Sequence, residues 1–318
     1  MEALLQVRVA AKRPVAEDIV AYEFSALDGL ELPAFEAGAH IDVHVPGGPV
    51  RQYSLHRLLD ASQRYHIAVL RDPQSRGGSV RLIDTVHEGD VLSVSAPRNH
   101  FKLHQGPAHT LLFAGGIGIT PILCMAEQLT REGRQFELHY CGRTPARMAF
   151  LDRVRAAPLL DRVRVHVDDD APEQRLDARD AIGAPADDRH LYVCGPTGFM
   201  DHVLAAAREL GWPEAQLHRE DFAAAPIDHA ADGPFVLELH RSGRSIPVAA
   251  SQTAAQALIA AGVQLPLSCE AGVCGTCKTR VLEGEVDHRD LYLTEDERSD
   301  HFTPCCSRAR TPRLVLDL

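Results

Sequence analysis

The sequence predicts a multidomain chain: an antiparallel β-barrel, then a doubly wound α/β sheet, then a small cysteine-bearing domain. Three observations predict it. Short alternating strands fill the first hundred residues, apolar strands alternate with helical stretches from about His104, and five of the eight cysteines fall in the last quarter. A chain of 318 residues is long for one domain, and 45% hydrophobic content with only 5% aromatics suggests aliphatic cores.

In the barrel region Leu5-Val7-Val9, Ile41-Val43-Val45 and Ile67-Val69 alternate with polar residues, and Val91 to Val94 is a shorter apolar run. Gly29, Gly38, Pro46 to Pro49, Pro73, Gly89-Asp90 and Pro97 punctuate them, which is the spacing of an antiparallel barrel. Ser79 to Val86 carries Val80, Ile83 and Val86 three apart, a short helix across the barrel opening. Arg51-Gln52-Tyr53-Ser54 stands between two strand-like segments. Its guanidinium can neutralise a phosphate, its phenol can stack on a flat ring and its hydroxyl can bond a ring edge. An ordinary barrel strand with a surface arginine is the competing reading.

The α/β region offers strands at Leu111 to Ala114, Phe136 to Tyr140, Val163 to Val167 and Leu191 to Val193. Helical stretches near Pro121 to Thr130, Met148 to Ala156 and Phe199 to Leu210 lie between them, the alternation of a parallel sheet. Gly115-Gly116-Ile117-Gly118-Ile119-Thr120-Pro121 follows the first strand and opens a helix, so its backbone can approach a pyrophosphate at a helix N-terminus. Pro121 occupies the third glycine's place in the dinucleotide fingerprint, so a bare structural turn competes. Cys194-Gly195-Pro196 ends another strand at the same sheet edge, where ligands bind in such folds. Ala223 to Pro234, rich in small residues, reads as a linker.

Cys269-x4-Cys274-x2-Cys277, with Cys305 and Cys306 downstream, has the plant-type ligand spacing for a [2Fe–2S] cluster. A structural zinc site and unconnected buried thiols are the alternatives. Ala271, Gly272, Gly275 and Thr276 are small and let amides approach the sulfurs. Upstream, Phe235 to His240 and Ser245 to Ala249 read as a hairpin, and Thr253 with Gln256 as a capping box for a helix Ala254 to Ala261 closed by Gly262.

A net charge of −11 argues against a nucleic-acid partner, because nothing supplies a basic patch for phosphates. No apolar run approaches the roughly 18 residues needed to span a bilayer. Met1 to Gln6 lacks the pattern of a signal peptide, so a soluble cytoplasmic protein with no membrane association is expected. Eight cysteines in this distribution fit a reducing compartment.

The hairpin, helix and cysteine loop over Phe235 to Leu318 resemble the β-grasp ferredoxin, most closely at Pro266-Leu267-Ser268-Cys269-Glu270-Ala271-Gly272-Val273-Cys274-Gly275-Thr276-Cys277. Arg51-x-Tyr53-Ser54 in a barrel, followed by the glycine turn and Cys194-Gly195-Pro196, resembles the ferredoxin-NADP reductase superfamily. With a C-terminal ferredoxin, the whole chain resembles the phthalate dioxygenase reductase family. The resemblance implies an FMN-binding barrel at 1–103, an NAD-binding domain at 104–224, a linker at 225–234 and a [2Fe–2S] ferredoxin at 235–318.

It also implies residue roles. Arg51 with Gly77, Gly78 and Ser79 would hold the flavin phosphate, Tyr53 would pack on the flavin ring and Ser54 would reach it. Gly115, Gly116, Gly118, Thr120, Arg143, Cys194, Gly195 and Pro196 would line the nicotinamide nucleotide site, with Ser54, Thr120 and Cys194 nearest the reaction. Phe222 would lie next to the flavin. Cys269, Cys274, Cys277 and Cys305 would bind the cluster, leaving Cys306 in a small apolar position. Asp168-Asp169-Asp170, if near Arg143, disfavours a 2′-phosphate and points to NADH. Electrons would pass from NADH through FMN and the cluster to a Rieske oxygenase in an aromatic-ring dioxygenase or O-demethylase system, or else to a P450 or other ferredoxin-dependent acceptor. A monomer is expected.

Overall fold

A computed structural model describes residues 4–27, 31–72, 77–106, 108–156, 158–169, 171–222 and 232–318. Two compact units divide the chain, Met1–Glu220 and Asp221–Leu318. The expected linker lies outside the described residues as far as residue 231, as do Gly29, Pro73 and Asp170.

The first unit opens with an antiparallel sheet: β1 (Leu5–Ala16), β2 (Ile19–Ala26), β3 (Ala39–His44), β4 (Val50–Ser54), β5 (Arg64–Leu70), β6 (Val91–Val94) and β7 (Arg98–Asn99). Their order is β4-β3-β6-β1-β2-β5, with β7 on β3, and a Leu55–Ile67 bridge brings the two ends together into a barrel. Alternation explains the core, since Val7, Val9, Ile41, Val43, Ile67 and Val69 all point inward. The Arg51 to Ser54 segment is itself a strand, β4, rather than a connection between strands. The short helix forms as α1 (Gly78–Thr85), burying Gly78 and Leu82; of the Val80-Ile83-Val86 set read from spacing, Val86 is buried in the barrel core just past the helix, Ile83 packs against that core and Val80 is half-buried.

The second sheet is all parallel: β8 (His109–Gly115), β9 (Phe136–Gly142), β10 (Val163–Val167), β11 (Arg189–Cys194) and β12 (Leu217–Glu220), in the order β10-β9-β8-β11-β12. Helices α2 (Ile119–Arg131), α3 (Leu151–Val154), α4 (Ala178–Ile182) and α5 (Thr197–Glu209) connect them. The order reverses between β8 and β11, so the glycine turn and Cys194 flank the switch point, where doubly wound sheets bind ligands. The helix expected over Met148 to Ala156 shrinks to one turn. Phe150 takes a left-handed backbone, φ +61°, and stops helix propagating backward, while Met148 and Ala149 insert into the core.

The second unit contains β13 (Phe235–Leu239), β14 (Arg244–Val248), α5's successor α6 (Ala254–Ala260), β15 (Thr279–Glu283), β16 (Val286–Asp287), β17 (His301–Phe302), β18 (Arg308–Ala309) and β19 (Arg313–Leu316). Its main sheet runs β14-β13-β19-β15-β17, with β13 and β19 parallel, as in a β-grasp domain. The capping box is present: Thr253 Oγ1 accepts from Gln256 N at 3.1 Å, and Gln256 Oε1 accepts from Thr253 N at 3.0 Å. Among the described residues no helix is long and apolar enough to cross a membrane.

Candidate redox sites

The cysteine loop, Ser268 to Lys278, is irregular backbone held between α6 and β15. Amides turn toward sulfur: Ala271 N donates to Cys269 Sγ at 3.4 Å and Thr276 N to Cys274 Sγ at 3.5 Å. Gly275 (φ +66°) cannot be replaced freely, because a Cβ there would sit 2.1 Å from the Tyr292 ring. The fourth sulfur comes from the segment after Pro304, whose carbonyl accepts from Ala255 N at 2.9 Å.

Cys269 engages the thiols of Cys274 and Cys305, and Cys305 also engages Cys277 and Cys306. Hydrogen bonds from Cys274 and Cys305 push the Cys269 thiol well below the usual thiol range, while Cys274 and Cys305 are pushed up in exchange. Sulfurs this crowded cannot all be thiolates unless cations neutralise them, which is what two irons would do, so the donor set fits a [2Fe–2S] group. Cys306 differs from expectation. Its Sγ lies 3.2 Å from Thr303 Oγ1 and 3.8 Å from Ser307 Oγ, a partly polar niche rather than an apolar one.

In the first unit Arg51 lies against the start of α1: a Cβ on Gly78 would come within 2.7 Å of Arg51 Cγ. Gly78, the first residue of α1, thus lies against Arg51, with Gly77 (φ +82°) and Ser79 on either side, and a guanidinium beside the first helical residues suits a phosphate. Burial pushes the Tyr53 phenol up, keeping it a neutral hydrogen-bonding ring. Ser54, 5% exposed, places Oγ 3.5 Å from Glu220 Oε2. Glu220 ends β12 in register with Cys194, the last residue of β11, so this contact brings β4 to the carboxyl edge of the parallel sheet. Sequence reading missed Glu220, although it stands two residues before Phe222.

At that edge the two predicted turns meet backbone to backbone. A Cβ on Gly118 would lie 2.2 Å from the Cys194 carbonyl oxygen, and one on Gly195 would lie 2.9 Å from Gly115 Cα. Only glycine permits this approach, and the space beyond Gly116 is open for a ligand. Pro196 precedes α5, and Thr120 donates Oγ1 to the Ile117 carbonyl at 3.0 Å, so its hydroxyl braces its own turn. Arg143 is exposed at the end of β9, and its carbonyl accepts from Asp169 N at 3.1 Å, with Asp168 N on Gly142 O at 3.0 Å. Phe222 is the second residue of the second unit and is 42% exposed.

Comparison with known proteins agrees with both sites. Residues 112–204 match the oxidoreductase NAD-binding domain family, and residues 237–310 match the 2Fe-2S iron-sulfur cluster binding domain family. Vanillate O-demethylase oxidoreductase of Pseudomonas sp. (strain HR199 / DSM 7063) is 51% identical over 317 residues, covering 99% of this chain and all of that protein. The solved structure of phthalate dioxygenase reductase, described as a modular structure for electron transfer from pyridine nucleotides to [2Fe-2S], superposes with a TM-score of 0.80 at 41% identity. That match covers 99% of this chain and 98% of that one. An intact type IV self-sufficient cytochrome P450 monooxygenase matches with a TM-score of 0.85 at 39% identity, over 99% of this chain and 41% of that one. The chain therefore belongs to the phthalate dioxygenase reductase family, as an NADH-dependent oxidoreductase with FMN and a [2Fe–2S] cluster that serves as the reductase component of an oxygenase system.

Proposed function

We propose that this reductase delivers its electrons to a Rieske-type terminal oxygenase of an aromatic-ring dioxygenase or O-demethylase system. The observation that carries the reading is full-length identity of 51% to a vanillate O-demethylase oxidoreductase. A second reading, delivery to a P450, is favoured by the P450 monooxygenase in which a comparable chain makes up about two fifths of the polypeptide.

Bound NADH, FMN and the [2Fe–2S] cluster together supply a two-electron donor, a carrier that takes two electrons and releases one at a time, and a one-electron acceptor. The chain binds and orients them. Arg51 with Gly77, Gly78 and Ser79 holds the FMN phosphate, Tyr53 covers the ring, and Ser54 and Glu220 present hydrogen-bonding groups at its edge. The turns at Gly115 to Thr120 and Cys194 to Pro196 hold NADH, with Arg143 toward the adenosine. Asp168 and Asp169, hydrogen-bonded to the backbone beside Arg143, repel a 2′-phosphate, which supports NADH over NADPH. The resemblance assigns Phe222 to the flavin. Cys269, Cys274, Cys277 and Cys305 are the iron ligands. We take 1–103, 104–224 and 235–318 as the three domains, joined by the 225–234 linker, in a monomeric cytoplasmic protein.

Reconstitution decides between acceptors. The purified holoenzyme should support NADH-driven turnover of a vanillate-type Rieske oxygenase far better than turnover of a P450. Turnover of the P450 alone, with cytochrome c reduction normal, would reject the proposal.

A further inference from the structure

Within the first unit, one half-buried cation ties the segment after β4 to the helix of the glycine turn. Arg153, on the single turn of α3, has a side chain 22% exposed. Its Nε donates to Glu127 Oε1 at 2.9 Å, and Nη2 donates to the same oxygen and, at 3.1 Å, to the His56 carbonyl. Nη1 lies 3.0 Å from His56 Nδ1. A guanidinium only donates, so His56 Nδ1 must accept and the imidazole is neutral with its proton on Nε2.

The two partners matter for where they sit. His56 follows Ser54 by two residues, directly beyond β4, and Glu127 belongs to α2, the helix that begins at Ile119 and Thr120. Phe150, which holds the left-handed conformation that starts α3, packs tilted against the His56 ring at 4.3 Å and lies under the guanidinium at 5.8 Å. The fork, the ring and the strained backbone thus converge on one small region. Arg153 thus bonds one side of each partner, Glu127 Oε1 and His56 Nδ1, while His56 Nε2 and Glu127 Oε2 are buried with no hydrogen-bond partner among the described residues. An incompletely satisfied buried network is a poor device for stability, and an apolar interface of the same shape would serve better. Its geometric specificity points to another use.

We propose that Arg153 is a positioning residue that fixes the distance between the Tyr53-Ser54 edge and the Gly118-Thr120 turn, and thereby the approach of the nicotinamide to the flavin. The inference rests on the roles proposed above for Ser54 and the glycine turn. Hydride transfer needs reacting atoms held within a few tenths of an ångström. A lost fork should therefore slow the transfer itself more than NADH binding.

The test uses the full chain with FMN and cluster bound. Arg153→Met alone leaves the Glu127 carboxylate buried without its cation, so the double variant Arg153→Met/Glu127→Leu, which removes both charges, is measured beside it. Flavin bleaching by NADH is followed anaerobically, with FMN content and thermal unfolding recorded in parallel. In either variant that retains FMN, the limiting rate should fall about ten-fold or more, with the apparent NADH affinity changed by less than about two-fold. The deuterium isotope effect should change with it. Arg153→Lys, which keeps the charge but not the fork, should recover only part of the rate. A wild-type limiting rate in the FMN-loaded double variant, or in Arg153→Lys, overturns the proposal. Ser54→Ala separates the two ideas: if it leaves the rate unchanged, the proposed role of Ser54 fails, whereas a slow Ser54→Ala beside a fast double variant defeats the Arg153 inference alone.

Discussion

Gly118→Ala is the sharpest probe of the edge proposed to hold the nicotinamide. The added Cβ would stand 2.2 Å from the Cys194 carbonyl oxygen, 2.4 Å from its carbon and 2.7 Å from Gly195 N, all of them backbone atoms that cannot rotate away. Ordinary contact begins near 3.4 Å, so the two turns must separate by about 1.2 Å or the turn must refold. Overpacking of this kind costs roughly 1–3 kcal/mol of stability. For a unit of this size that lowers its unfolding midpoint by about 2–12 °C. A displacement near 1 Å at a reacting centre is worth about 100-fold in rate, or ~2.7 kcal/mol of barrier. Anaerobic stopped-flow of flavin reduction by NADH should show that loss, while the visible spectrum of the cluster, bound in the other compact unit, stays unchanged. A rate within about two-fold of wild type, together with an unchanged midpoint, would mean that the close approach of the two turns has no part in the chemistry.

The adjacent thiols should respond in opposite ways. Cys305→Ser should bleach or greatly destabilise the cluster spectrum, whereas Cys306→Val should keep it and cost about 1 kcal/mol, because Thr303 loses a sulfur partner; the reverse pattern would move the fourth ligand to Cys306. Acid should weaken the first unit before carboxylates titrate. Burial pushes His66 down to about 4, His139 to about 3 and His218 to about 4, so each takes up a proton on unfolding below its ordinary value near 6.5. The stabilisation is complete above pH ~6.5 and is lost as pH falls toward the folded values. Denaturant midpoints of this unit should therefore decline steadily from pH 7 to 5, and a flat profile would show that these rings are hydrated in the fold.

What the sequence revealed follows from how locally each feature is encoded. The iron loop and its capped helix occupy the contiguous stretch from Thr253 to Cys277, and the glycine turn occupies seven consecutive residues, so spacing alone exposes them. Strands with clean alternation were legible for the same reason. β2 was not read, because the alternation in Ile19 to Ala26 breaks where the adjacent Ala21 and Tyr22 are both buried, and the charged Glu23 lies between Tyr22 and Phe24, paired with Arg64 at 2.7 Å. The helix over Met148 to Ala156 was overread because apolar periodicity does not reveal that Phe150 turns left-handed.

The site's remaining parts are products of the tertiary fold. Ser54 and Glu220 are separated by 166 residues, and Arg153 and His56 by 97, and neither pair has a local signature. β12, which carries Glu220, spans only Leu217–Glu220, and its sequence is polar because it is the edge of the sheet rather than its centre. A short edge strand presents little hydrophobic pattern to read. Yet its register with β11 is what sets Glu220 beside Cys194 and within reach of Ser54. The turns proposed to bind cofactors are therefore visible in sequence. The positions proposed to align one bound group against another come together only when the barrel and the parallel sheet fold against each other in a single unit.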